Sequence, residues 1–350
     1  MTCVHFGRCG GCAHQDKNDA EYRVLKREIV VGALARHGIE APVDEIIEVA
    51  PATRRRATMK VKLENGTIRL GFHAAKTHDI IDLEECPVLI PSLTALLPGL
   101  RAMLTDLLAP NGDAELRLTM TDAGADLGLR WRRPNDTETL AALARWASKL
   151  KLARISAHGE TVVSLAAPTV QLGKATVKLP PEIFLQSTKE GEAALQTFAC
   201  ESLAKAKKVV DLFCGCGTLT FPLAQKAAVH AVELESVMLE ALSGAAKATS
   251  GLKPITTEKR NLFKRPLGEF ELNTYDGICL DPPRAGALEQ AKRIAKSKVK
   301  RVAYISCDAD SFARDARVLI DGGYQLTRVQ PVDQFLWSSH IELAAEFRRP

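Results

Sequence analysis

Hydrophobic and polar positions follow two different rhythms along the chain, and the change falls near residue 180. Before it, after one amphipathic stretch from Asp19 to His37, β-rich runs dominate. Thr58 to Leu63 and Ile68 to Phe72 are joined at Asn65-Gly66, and Asn-Gly between two such runs predicts a hairpin. Glu115 to Thr121, Asp126 to Trp131 and Val162 to Ala166 continue the pattern, so this half is expected to be mixed and largely antiparallel. After Leu179-Pro180-Pro181 the short apolar runs Lys208 to Phe213, Ala228 to Glu233, Tyr275 to Leu280 and Val299 to Ser306 alternate with helical stretches. That alternation predicts a parallel sheet with right-handed crossovers. Asp321-Gly322-Gly323 closes the last helix, and strands near Gln325 to Gln330 and His340 to Phe347 finish the sheet. The expected division is therefore 1–180, a β-rich unit, and 181–350, an α/β unit.

Composition narrows the setting. A chain of 350 residues exceeds what one core usually supports. The first seven residues carry no apolar signal region, and the most apolar later stretch, Leu93 to Leu108, is broken by Pro98, Arg101 and Asp106, so neither secretion nor membrane insertion is expected. Nine cysteines, unevenly clustered, suit ligands or catalysis in a reducing compartment, and the cytoplasm is expected. A net charge of +5 permits a polyanionic partner without requiring one.

Two strand ends carry candidate chemistry. Val209-Val210-Asp211-Leu212-Phe213-Cys214-Gly215-Cys216-Gly217-Thr218 is a buried strand running into a glycine turn and a helix, a place where backbone can approach a ligand closely. The third glycine of the dinucleotide fingerprint is missing, which suits a nucleoside cofactor without a pyrophosphate better than a nicotinamide dinucleotide. Glu233 ends the next strand, where an acid can bind ribose hydroxyls. Ile278 to Arg284 ends a further strand in Asp281-Pro282-Pro283-Arg284, a rigid turn able to present carbonyls and a carboxylate to a flat base. One strand later Ser306-Cys307-Asp308 places a thiol at a carboxyl end. A following helix N-terminus would stabilise its thiolate.

Cys3, Cys9 and Cys12, with the later Cys86-Pro87, form C-x5-C-x2-C plus a solitary Cys-Pro. Four thiolates so spaced predict a [4Fe-4S] cluster, with zinc as the competitor. Arg54-Arg55-Arg56 and Lys60 form a basic run, and with Arg284 of the Asp-Pro-Pro-Arg turn they are the candidates for contacts to a polyanion's phosphates.

Together these blocks resemble the bacterial uridine-C5 RNA methyltransferases, in their iron-sulfur branch. The resemblance spans Cys3 to Cys12, Arg54 to Arg56, Cys86-Pro87, Phe184-Leu185-Gln186, Asp211 to Gly217, Glu233, Asn261, Asp281 to Arg284, Ser306-Cys307 and His340-Ile341-Glu342. It implies a class I, Rossmann-like methyltransferase domain with a mostly parallel seven-stranded sheet, and an N-terminal mixed, β-rich domain carrying the cluster. By the same resemblance Gln186, Phe213, Thr218, Glu233, Asn261 and Asp281 line the S-adenosylmethionine site, with Asp211, Gly215 and Gly217 in its loop. Cys307 is then the nucleophile and Glu342 the base. The substrate implied is RNA, ribosomal first and transfer RNA second, and the protein is expected to be a monomer. Asp308-Ala309 stands where Asn-Pro often follows the nucleophile, and Thr188 where an asparagine is common. A non-catalytic iron-sulfur or zinc RNA-binding protein is the rival from another class.

Overall fold

The computed structural model describes residues 3–350; Met1 and Thr2, which begin the segment read for a leader, lie outside the described residues. Strands Lys208–Leu212, Gly277–Leu280 and Arg301–Ser306 are buried along nearly their whole length. Cover on both faces leaves no solvent side for polar residues, which is why these runs are continuously apolar. They lie in an eight-stranded sheet of order Ile47–Glu48, Gln325–Asp333, Glu342–Arg348, Arg301–Ser306, Gly277–Leu280, Lys208–Leu212, Ala228–Glu233 and Ile255–Lys259.

Pairing is parallel from Arg301–Ser306 out to Ile255–Lys259, whereas Glu342–Arg348 runs antiparallel to both its neighbours. This reversal positions the site. The register pairs Ser306 with Leu343, so one step further the start of the last strand, Glu342, comes level with Cys307 at the carboxyl end of the adjacent strand.

The sheet has one strand more than the expected seven. Ile47–Glu48, from the first half of the chain, pairs in parallel with Val332 and Asp333. Helix Asp19–Arg36 also crosses the expected division at residue 180. Its Val30, Ala33 and Leu34 share a core with Val210, Ile278 and Phe312. The hairpin Thr169–Leu172 and Ala175–Lys178 does likewise, packing Val170, Leu172 and Val177 against Leu239 and Leu242. Sequence periodicity shows that a helix has an apolar face but not which core receives it.

The rest of the first half forms a seven-stranded sheet of order Ile80–Asp82, Thr67–His73, Arg56–Glu64, Asp113–Thr121, Gly124–Trp131, Leu152–Ala157 and Glu160–Ser164. All its pairs are antiparallel but one: Gly124–Trp131 and Leu152–Ala157 run parallel, joined by helix Thr137–Leu150. The Asn65-Gly66 turn has φ of 51° and 76°, the left-handed pair that a two-residue hairpin turn requires. One face buries Leu70, Leu116 and Leu127 against Leu100, Leu104 and Leu143 of the covering helices. No helix among the described residues is long and apolar enough to cross a membrane.

Candidate active site

The glycine turn after Lys208–Leu212 opens a cavity of about 510 Å³ at the carboxyl ends of the strands. Gln186, Asp211, Phe213, Gly215, Thr218, Glu233, Asn261, Asp281, Cys307 and Glu342 all line it. Gly217 does not: its φ is 99°, and a Cβ there would lie 2.6 Å from the ring of Phe221, so it serves the turn rather than a ligand. Phe213 also has positive φ, 62°, a costly state for an aromatic residue that places its ring at the cavity wall beside Phe263, 5.5 Å away between centroids.

Glu233 is fixed by backbone donors. Its Oε2 accepts from Gly215 N at 3.1 Å and its Oε1 from Leu234 N and Glu235 N at 2.6 and 3.1 Å. Asn261 Oδ1 accepts from the backbone of Phe263 and Lys264, both at 3.1 Å, which shapes the turn lining the same cavity. Asp211 Oδ2 accepts from Thr220 at 2.5 Å, while its Oδ1 is buried without a hydrogen-bond partner among the described residues. Burial pushes Asp211 up to about 7, with the Asp281 and Glu233 charges adding to it against the Thr220 hydrogen bond. An orphaned acceptor in a wall otherwise rich in carboxylates suits a ligand that brings donors and positive charge.

Cys307, Asp281 and Glu342 converge at the far end. Burial pushes the Cys307 thiol up to about 11, with the Glu342 and Asp281 carboxylates adding to it. This overturns the expectation that a helix N-terminus stabilises a thiolate here. The helix does follow, at Ala309–Asp321, but Asp308 caps it, accepting from Ser311 N at 3.0 Å, so its positive end is already answered by a carboxylate. Burial lifts both Glu342 and Asp281 far above ordinary carboxylates, to about 8 and about 7, and the Asp281 charge adds to the rise of Glu342 against the Gln334 hydrogen bond. Gln186 Nε2 donates to Asp281 Oδ2 at 3.3 Å, and Gln334, which the sequence reading did not single out, donates to Glu342 Oε2 at 2.8 Å. His340, two residues before Glu342, lines the adjoining cavity and not this one.

That adjoining cavity, about 490 Å³, is lined by Cys3, Cys9, Cys12 and Cys86 together with Cys307, Phe184 and Arg284. Four thiols separated by up to 83 positions in the chain are thus gathered on one wall. Cys12 is pushed up to about 12, by burial first and then by the other three thiols. Among the described residues no group of three or more His, Cys, Asp or Glu is arranged to hold a metal ion.

The arginine run is held largely by the protein itself. Arg55 is 3% exposed, ion-paired with Glu192 at 2.6 Å and donating to Gln186 O at 3.1 Å. Arg56 donates to Leu185 O at 2.9 Å and lies 4.1 Å over the ring of Phe184, and Arg54 is half-buried beside the thiols, donating to Arg56 O at 3.0 Å. Lys60 is paired with Glu115 at 2.6 Å. Arg55 is therefore held inside the protein at the seam between the two halves, whereas Arg54 and Arg56 line the cavity of the thiols and Lys60 stays partly exposed in its pair. Arg284 remains largely exposed, with Asp308 at 3.1 Å.

A family model described as tRNA (Uracil-5-)-methyltransferase matches residues 169–349. The chain is 43% identical over 344 residues to an uncharacterised RNA methyltransferase of Brucella suis biovar 1, covering 98% of this chain and 83% of that protein. It is 34% identical over 366 residues to the 23S rRNA (uracil(1939)-C(5))-methyltransferase of Halomonas elongata, covering 97% and 74% respectively. In structure it is similar to Pyrococcus abyssi tRNA (uracil-54, C5)-methyltransferase, solved with S-adenosyl-L-homocysteine, at a TM-score of 0.76 over 96% of this chain and 85% of that one. The identity there is 19%, a likeness of fold.

Proposed function

Since the chain belongs to the tRNA (uracil-5-)-methyltransferase family, we propose that it methylates C5 of a uridine in RNA, ribosomal RNA in the first place, through a covalent adduct on Cys307. The observation that carries this reading is the meeting of Cys307, Asp281 and Glu342 in the cavity that Glu233, Asn261 and Gln186 also line. Transfer RNA is the second candidate substrate, named for the archaeal structure of like fold.

Uracil C5 is a weak nucleophile. Addition of the Cys307 sulfur to C6 moves the electron pair of the C5–C6 double bond into an enolate, and C5 can then take the methyl group. The thiol must first lose its proton, and Asp281 is the acceptor facing it that leaves Glu342 ionised for the later step; burial lets it hold a proton near neutrality. S-adenosylmethionine supplies the methyl group and a positive sulfonium, and the carboxylates of Asp211, Glu233 and Asp281 suit such a ligand. After transfer, Glu342 takes the remaining C5 proton, the C5–C6 double bond returns, and the Cys307–C6 bond breaks to release the thiolate. The uridine must leave its stack to enter. Phe184 and Arg284 line both cavities beside Cys307 and mark the entrance.

We also propose that Cys3, Cys9, Cys12 and Cys86 hold a [4Fe-4S] cluster. Their gathering on one cavity wall supports it, and a cluster, with its own body of iron and sulfide, does not need the tight grouping that a single ion does. The cluster's part is structural, since no step above needs an electron. Incubation of the protein with methyl-labelled S-adenosylmethionine and RNA from cells lacking this enzyme should yield labelled 5-methyluridine after nuclease digestion. Label in any other nucleoside, or none, overturns the reading.

A further inference from the structure

Gln334 lies between the strand Gln325–Asp333 and the loop that leads to Glu342, and its side chain is 1% exposed. Both N–H donors and the oxygen of its amide are engaged. Nε2 donates to Glu342 Oε2 at 2.8 Å and to Gln186 Oε1 at 2.6 Å, and Oε1 accepts from Ser187 N at 2.9 Å. Two acceptors on one side and a backbone N–H on the other fix which end is nitrogen. Gln186 in turn donates to Asp281 Oδ2. The two raised carboxylates are thus the ends of one chain: Glu342, Gln334, Gln186, Asp281.

The surroundings are built to hold this amide. Asp333, the preceding residue, points the opposite way and is ion-paired with Lys26 at 2.7 Å, both side chains being fully buried, so the backbone is pinned from behind. Gly191 makes room in front, since a Cβ there would come within 2.9 Å of Gln334 Cβ and 3.2 Å of its Oε1. A neutral amide also orients Glu342 without cancelling its charge, as an arginine or lysine would.

We propose that Gln334 is a positioning residue for the last step of the reaction: it aims the Glu342 carboxylate at the C5 proton and, by donating to it, keeps its ionised form available. The inference rests on Glu342 being the base. The charged and titratable groups facing Glu342 are Asp281 from the strand end before Pro282 and Cys307 from the neighbouring strand end. In the step itself the C5 proton passes to Glu342, the C5–H pair becomes the C5–C6 double bond, and the C6–S bond breaks with its electrons on Cys307.

The test compares three variants in single turnover on substrate RNA, with cofactor binding and circular dichroism as controls of folding. Gln334→Met removes both N–H donors at similar volume. Release of product should slow about 10- to 100-fold, with a methylated Cys307 adduct accumulating and the pH at which release becomes fast moving upward. Gln334→Glu can donate only while protonated, and Glu342 can act only while ionised, so its release should rise and then fail again as pH climbs, a falling limb that the natural enzyme lacks. A purely structural role would lower all steps together and leave both pH profiles in place; that result, or unchanged release, overturns the proposal. Glu342→Gln separates the two claims. If it fails to stall the methylated adduct, the base assignment falls. If it stalls and neither Gln334 variant does, the inference about Gln334 falls alone.

Discussion

Glu342 illustrates how far a single residue can be read. Its place after His340-Ile341 marks it in the sequence, but its environment does not show there, because burial and the approach of Asp281 are made by strands sixty residues apart. The raised values have a cost that can be measured. A carboxyl whose folded pKa lies above its unfolded one holds its proton longer in the native state, so the associated stability is present in acid and is lost as pH rises toward about 8. Glu342→Gln should therefore match the natural protein in melting temperature near pH 4 and exceed it increasingly as pH rises toward about 8, the gap then staying level, by about 1–2 °C for each kcal/mol relieved. A gap independent of pH would show that Glu342 is not buried in this way. The thiol teaches the reverse lesson. Cys307 at a strand end before a helix is legible as a candidate for chemistry. What was not legible is that Asp308 would cap that helix with its own carboxylate, leaving the resting thiol protonated.

Among elements, the parallel strands were readable because burial on both faces demands unbroken apolar runs. The edge strand Ile255–Lys259 was not singled out, being mostly exposed along Thr256 and Thr257. Helix Asp19–Arg36 stands where the amphipathic stretch from Asp19 to His37 was read, and Asn18 caps it, accepting from Glu21 N at 3.0 Å. Its destination was not. Lys26, one charge among many in the sequence, is buried against Asp333, and donates to the carbonyls of Phe335, Ser338 and His340 in the loop before Glu342. Tyr22 in the same helix bonds Asp333 and accepts from Trp337 N. Removing one partner leaves the other charge buried alone, so Lys26→Met should cost about 3–5 kcal/mol in urea unfolding and speed amide exchange across 335–341. A loss below about 1 kcal/mol would be that of an exposed pair and would contradict this account.

At the scale of the molecule, two cavities meet at Cys307: one lined by acids and the glycine turn, the other by four thiols. The seam between the halves is Arg54-Arg55-Arg56, legible as a basic run; that Arg55 would be buried against Glu192 was not legible, because Glu192 and the carbonyls of Leu185 and Gln186 that receive the run lie 129 to 137 positions on. If the thiols hold a [4Fe-4S] cluster, anaerobically purified protein carries about four irons and four sulfides with broad visible absorbance, and Cys86→Ser loses them. Protein purified in that way with neither iron nor sulfide would refute the cluster. The central claim, that Cys307 bonds to the base it methylates, is tested most directly by the mass of the protein after reaction with S-adenosylmethionine and RNA carrying 5-fluorouridine, since fluorine cannot leave as a proton does. The account predicts a denaturation-resistant complex whose mass is the sum of protein, RNA and one methyl group, with the attachment mapped to Cys307 and absent from Cys307→Ala. A folded, cofactor-binding enzyme that methylates ordinary RNA yet forms no such complex, or an alanine variant that still turns over, would contradict it.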